Sequence, residues 1–104
     1  MPNFLLAYIG GDQPQTPAEG EAVMQAWTRW FGSLGESVVD LGNPAGACVA
    51  ISPAGTVTPG AGSGLTGYSV ISAASSEDAA AKVVECPHLA ANGTVEVYEI
   101  HSVM

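Results

Sequence analysis

The segment Cys86-Pro87-His88-Leu89-Ala90-Ala91-Asn92-Gly93-Thr94-Val95-Glu96-Val97 is where a helical pattern stops and a strand pattern begins. Pro87 lacks a backbone donor and biases Cys86 out of the helical region, so a helix entering from Ser76 is expected to end here. Asn92-Gly93 is a tight-turn pair, because both residues tolerate positive φ. These signals place His88 in a connection at the end of a sheet, where a side chain faces a cleft instead of the core.

Upstream, Ser75 or Ser76 followed by Glu77 and Asp78 opens that second helix, and Ala79, Ala80, Val83 and Val84 give it a shallow apolar face. The strand before it reads as Tyr68 to Ala73. At the start of the chain, Asn3 to Ile9 is a continuous apolar run stopped by Gly10-Gly11-Asp12, which is the pattern of a strand covered on both faces. Phe4, Leu6 and Tyr8 share one face of it; Leu5, Ala7 and Ile9 share the other. Thr16-Pro17-Ala18-Glu19 combines an N-cap, a proline at the first helical position and a capping-box acid. From there Val23, Trp27, Trp30, Phe31 and Leu34 form one apolar stripe up to the helix stop at Gly35, expected to pack as core, the alternative being that Trp27 and Trp30 form a stacking platform for a ligand. Glu36 to Gly42 reads as a short strand and Ala47 to Ile51 as another strand or an irregular extension. Ser52 to Gly67, rich in Gly, Pro and Thr, reads as a long surface loop or loose hairpin. Thr94 to Ile100 is the last strand.

The order β-α-β-β-α-β is that of the α+β, ferredoxin-like split βαβ fold, a four-stranded antiparallel sheet with two helices on one face. Residues 1–104 are then one domain. The other sheet face stays open, and a second copy of the chain is its natural cover, giving a homodimer packed sheet on sheet. Composition points the same way: 47% hydrophobic and 12% charged residues leave a small chain with more apolar surface than its interior can hold.

Arg29 and Lys82 are the only strong cations against ten carboxylates, a net charge of −8. Such a surface repels phosphate backbones and anionic bilayers, so neither nucleic acid nor membrane is an expected partner. Cys48 and Cys86 form no CxxC pair and suit a reducing cytoplasm. The N-terminal run is too short for a signal core, and no apolar run approaches the ~20 residues of a membrane span. Asn92-Gly93-Thr94 matches the glycosylation sequon and is read as a turn.

Gly62-Ser63-Gly64-Leu65-Thr66-Gly67 spells GxGxxG, but the dinucleotide fingerprint needs a strand before it and a helix after it. Here a strand follows, so no nucleotide cofactor is expected. His88, His101 and Cys86 are too few for a structural metal site, and no Gly-x-Ser-x-Gly elbow marks a nucleophile. The remaining candidate for acid–base chemistry is His88 with Asp40, at the end of its short strand, or with another acid, since a carboxylate fixes the imidazole tautomer. The alternative is structural: His88 capping the last carbonyls of the second helix. Tyr8 and Tyr68 are candidate ligand-binding hydroxyls on the open sheet face, the alternative being tyrosines buried in a dimer interface, and His101 is expected to be exposed.

Asn3 to Tyr8, Gly42-Asn43-Pro44, Gly64 to Ile71, Cys86-Pro87-His88-Leu89 and Gly93 to Val97 together resemble the YCII-related domain, a branch of the dimeric α/β-barrel superfamily. The resemblance spans nearly the whole chain and implies a homodimer with a ligand pocket between the sheet and nearby loops. Relatives include a dehydrochlorinase-like enzyme acting on a chlorinated hydroxyquinol, for which a His/Asp pair has been proposed. In those relatives the histidine lies on the first helix; here the matching stretch, Gln25 to Trp27, has none, and His88 matches the connection after the second helix. The functional expectation is binding of a small phenolic or quinoid molecule, with acid–base lyase or isomerase chemistry through His88. The competing expectation is a non-catalytic interaction module that engages another protein through the dimer surface or the Ser52–Gly67 loop.

Overall fold

A strand with apolar residues on both faces has to lie inside a sheet, and β1 (Asn3–Gly10) does: it pairs antiparallel with β5 (Leu65–Ser72) on one side and β6 (Gly93–Ile100) on the other. The computed structural model describes residues 1–60 and 62–102. The short strand β2 (Val38–Asp40) pairs with β5, so the sheet order is β2-β5-β1-β6. Numbered among these four alone, the order is second, third, first, fourth, which is compatible with the ferredoxin-like fold.

Helix α1 (Pro17–Leu34) begins where its capping residues dictate: the Thr16 hydroxyl accepts the Glu19 amide at 3.1 Å. The Glu19 carboxylate reaches one residue further back than a standard capping box, accepting the Gln15 amide at 2.6 Å. Helix α2 (Ser76–Val83) is capped by Ser75, which accepts from the Asp78 amide at 3.1 Å, and Lys82 pairs with Asp78 at 3.1 Å one turn along. Asp78 also accepts the Ala74 amide, and this bond with the Lys82 contact holds its carboxyl below the usual range.

Phe4, Leu6 and Ile71 project from the sheet into a core with Trp30, Ala79 and Val83, and all are buried. The Trp30 indole donates to the Lys82 carbonyl at 3.2 Å, so one side chain fills the core and ties α1 to α2. This gives the indole nitrogen the partner that burial requires.

Three sequence expectations are corrected here. The second helix stops at Val83, short of Cys86, and Pro87 starts a further four-residue helix, α3 (Pro87–Ala90), instead of ending one. A proline suits the first helical position as well as it disrupts the interior, and Cys86, extended at ψ 131°, is the residue it restricts. The hairpin alternative holds for the next segment, where β3 (Val49–Ile51), inside the run read as a possible strand, pairs with β4 (Val57–Pro59); the third correction is that β5 begins at Leu65, inside the stretch read as loop or loose hairpin.

Trp30→Ala should cost about 3–5 kcal/mol in urea unfolding, the range for emptying a buried aromatic site, whereas Trp30→Phe should cost about 1–2 kcal/mol by leaving the Lys82 carbonyl without its donor. A Trp30→Phe protein as stable as the parent would show that the tie to α2 contributes nothing.

Candidate functional site

The end of β1, the Gly10–Gln15 loop, the first half of α1 and helix α3 enclose a cleft of about 610 Å³. Its floor is Tyr8 and His88, one wall is Val23, Ala26 and Trp27, and Asp12 and Glu19 supply carboxylates. Among the described residues no Lys or Arg lines it.

His88 is held from three sides. Its Nε2 lies 3.0 Å from the carbonyl oxygen of Ile9, 79 residues away in the chain. A carbonyl only accepts, so Nε2 carries the proton and, in the neutral ring, Nδ1 carries the lone pair. Among the described residues Nδ1 has no hydrogen-bond partner, and no buried side-chain nitrogen or oxygen is left unsatisfied. Nδ1 therefore keeps access to water. The ring is pressed against Gly11 and Gly93: a methyl group on Gly11 would stand 2.6 Å from Cε1, and one on Gly93 would overlap Nε2 and Cδ2. The Asn92-Gly93 pair does form the expected turn, with Asn92 at φ 64°, but Gly93 is there to make room for the imidazole.

The position of α3 follows from local bonding. The Asp12 amide donates to the Ala91 carbonyl at 2.7 Å and the Asn92 side chain donates to the Asp12 carboxylate at 2.6 Å. These two bonds strap the loop after β1 to the end of α3. They keep His88 beneath the strand instead of against α2, and the expected capping of α2 by His88 is replaced by the bond to Ile9.

Tyr8 stands beside His88, with ring centroids 5.4 Å apart, and meets Trp27 edge-on at 5.1 Å. Its hydroxyl turns away from the cleft to donate to the Ser69 hydroxyl at 2.7 Å, which donates to the Leu41 carbonyl at 2.7 Å. Burial pushes the Tyr8 pKa up to about 12, against the opposing pull of the Ser69 bond. Tyr8 thus offers a ring face to the cleft from the helix side of the sheet, correcting its assignment as a hydroxyl on the open face. Cys86, buried beneath α3, has its thiol pushed up to about 11 by burial.

Tyr68 and Asp40 lie elsewhere. Tyr68 is paired with Ala7 on the open face, where its hydroxyl faces the Asn43 side-chain amide at 3.4 Å. Asp40 is exposed and accepts the Gly42 amide at 2.8 Å. It is paired with Val70, Val70 with Leu5, and His88 bonds Ile9, four residues along β1. Two strand spacings and four residues put Asp40 on the order of 15 Å from His88. The expected His88–Asp40 pair does not form; the acids near His88 are Asp12 and Glu19. Sequence reading assigned Glu19 to the helix cap and Asp12 to a loop. The signal available was Gly10-Gly11-Asp12 itself, a flexible acidic turn directly after the central strand. His101 is exposed, with Nδ1 3.6 Å from Glu99.

Among the described residues no three His, Cys, Asp or Glu side chains converge to hold a metal ion, and no helix is long and apolar enough to cross a membrane. A scan of protein-family models and a search of curated proteins returned no match to this chain.

Two outcomes follow from this geometry. Gly93→Ala should expel the imidazole and cost about 1–3 kcal/mol, as overpacking does, with loss of the His88 Nε2–H signal expected in NMR spectra of the parent protein. Tyr8 and Cys86 ionise in the unfolded chain near their ordinary pKa values of 10.0 and 9.0, but only near 12 and 11 when folded. Their contribution is therefore complete below pH 9 and is lost as pH rises toward 12, about 1–2 kcal/mol each after discounting for partial exposure. Cys86→Ala should delay the onset of that alkaline decline in melting temperature; an unchanged onset would remove Cys86 from the account.

Proposed function

We propose that the cleft binds a small uncharged aromatic molecule of phenolic or quinoid type and that His88 moves a proton on it. The observation that carries this reading is the fixed imidazole: Nε2–H is committed to the Ile9 carbonyl at 3.0 Å, so Nδ1 meets the ligand as a base of set orientation. A base held this way takes a proton from a hydroxyl or an activated carbon and returns it to a second atom, which is isomerase chemistry. Where the returned proton assists a leaving group, the same cycle is that of a lyase. Tyr8 and Trp27 supply flat apolar surface for an aromatic ring. With Asp12 and Glu19 on its walls and no cation, the cleft disfavours carboxylates and phenolates, so the ligand enters neutral.

The same reading makes the chain a homodimer of the YCII-related, dimeric α/β-barrel type, acting in a reducing cytoplasm. Both cysteines are free thiols. The molecule is only 19 Å thick, enough for one sheet and one helix layer about 10 Å apart. Leu5, Ala7 and Ile9 of β1, Tyr68 and Val70 of β5, and Tyr98 and Ile100 of β6 share the uncovered face with two acids, Asp40 opposite Val70 and Glu96 opposite Ala7, the latter accepting the Tyr98 hydroxyl at 2.7 Å. A second copy covers it, sheet against sheet.

The test is a thermal-shift titration with catechol, hydroquinone and 4-hydroxybenzaldehyde against the parent protein and His88→Gln, which keeps a donor for Ile9 but loses the Nδ1 base. A binder at 100 times its dissociation constant stabilises by about 2.7 kcal/mol. Stabilisation by these neutral phenols, with proton exchange on the bound ring abolished in His88→Gln, is the expected result. Absence of any shift with all three compounds would overturn the reading of the cleft.

A further inference from the structure

Among the described residues the β3–β4 hairpin forms a two-stranded sheet of its own, separate from the main sheet. Its registers, Val49 opposite Pro59 and Ile51 opposite Val57, place all four side chains on one face, while Ala50 and Thr58 share the other. That apolar face is bare in the single chain: Val49, Ile51 and Val57 are 59%, 69% and 57% exposed. Backbone bonds of Asn43 and Ala45 to Tyr68 and Thr66 continue the β2–β5 ribbon outward, so the hairpin is an arm reaching past the end of the sheet. The radius of gyration agrees, at 15.2 Å, against about 13 Å for a compact chain of this length.

Two-stranded hairpins are marginal in water, and one with four apolar side chains on a single exposed face needs something to lie against. Charge identifies what. From Leu41 to Ser76 the sequence contains no Asp, Glu, Lys or Arg, although the chain carries a net −8. Nucleic acid or an anionic membrane would need cations, and this stretch has none. Two chains of charge −8 meet with least repulsion where one of the two facing surfaces carries no charge. The arm and β5 form one continuous surface of that kind. It borders the open face through Leu65, which is paired with Ile9.

We infer that the arm clasps a second copy of this chain, laying Val49, Ile51, Val57 and Pro59 against the partner's open sheet face beside the exposed Tyr98 and Ile100 positions. The inference rests on the sheet-on-sheet dimer proposed above and adds the element that completes its cover.

Hydrogen exchange and sedimentation velocity on three proteins test it: the parent, Val70→Glu, which places a charge in the centre of the sheet face, and Ile51→Asp/Val57→Asp on the arm. The expected result is a parent dimer whose amides from Val49 to Thr58 exchange at least tenfold more slowly than in monomeric Val70→Glu. The arm variant should dimerise at least tenfold more weakly while its β1 and β5 amides stay protected. If the arm exchanges equally fast in parent and Val70→Glu, and the arm variant dimerises as the parent does, the clasp is overturned while the sheet dimer stands. A parent that sediments as a monomer at micromolar concentration overturns both. Protection of the arm only on adding cell extract would give it a different occupant and overturn the clasp alone.

Discussion

The bond between His88 and the Ile9 carbonyl joins a four-residue helix near the end of the chain to the strand at its beginning. A helix of one turn has almost no stability of its own, since nucleation costs more than one hydrogen bond returns. Helix α3 persists because its proline fixes the first dihedral, because Asp12 and Asn92 strap its end to the loop after β1, and because its histidine anchors beneath the sheet. Each of these contacts also shapes the cleft. Removing the anchor would therefore loosen the strand end, the loop and the helix together, and site geometry is inseparable from local stability here.

That coupling explains the two glycines. Gly11 and Gly93 sit on different elements, yet a side chain on either would collide with the same imidazole ring. The backbone is brought to van der Waals contact with the ring on two sides, which confines the imidazole where the Ile9 carbonyl meets it. An imidazole confined in this way, with Nε2 bonded to a carbonyl, presents Nδ1 in one direction. The tautomer is fixed by a backbone carbonyl and not by the carboxylate expected from the sequence. The carbonyl orients the ring without placing a full negative charge behind it.

The sequence made the regular elements legible because their signals are local. The alternation in β1, the stripe from Val23 to Leu34 and the Thr16 cap each lie within one or two turns of chain, and the observed α1 spans Pro17–Leu34 as those signals require. What was not legible is set by contacts across the chain. Tyr8 was grouped correctly with Phe4 and Leu6, yet which side the helices cover is decided by where Trp30 and Val83 pack. Pro87 reads equally as a helix stop or start, and only the anchoring of His88 selects the second. The acid singled out by pattern, Asp40, is excluded by its place in the sheet: β5 lies between β2 and β1, and Asp40 stands level with Leu5, four residues along β1 from Ile9.

The charge distribution links the two ends of this small fold. Carboxylates gather on β6, on the helices and around the cleft, while β5 and the arm carry none from Leu41 to Ser76. A chain selected only for solubility would spread its acids over every exposed strand, and an exposed hairpin would be the first place to put one. Leaving Val49, Ile51 and Val57 bare and unguarded costs solubility in the single chain. The cost disappears when that surface is covered. The acid-lined cleft and the neutral arm are thus the two extremes of one charge distribution: with two cations in the whole chain, the stretch from Leu41 to Ser76 is where the surface repels another acidic molecule least.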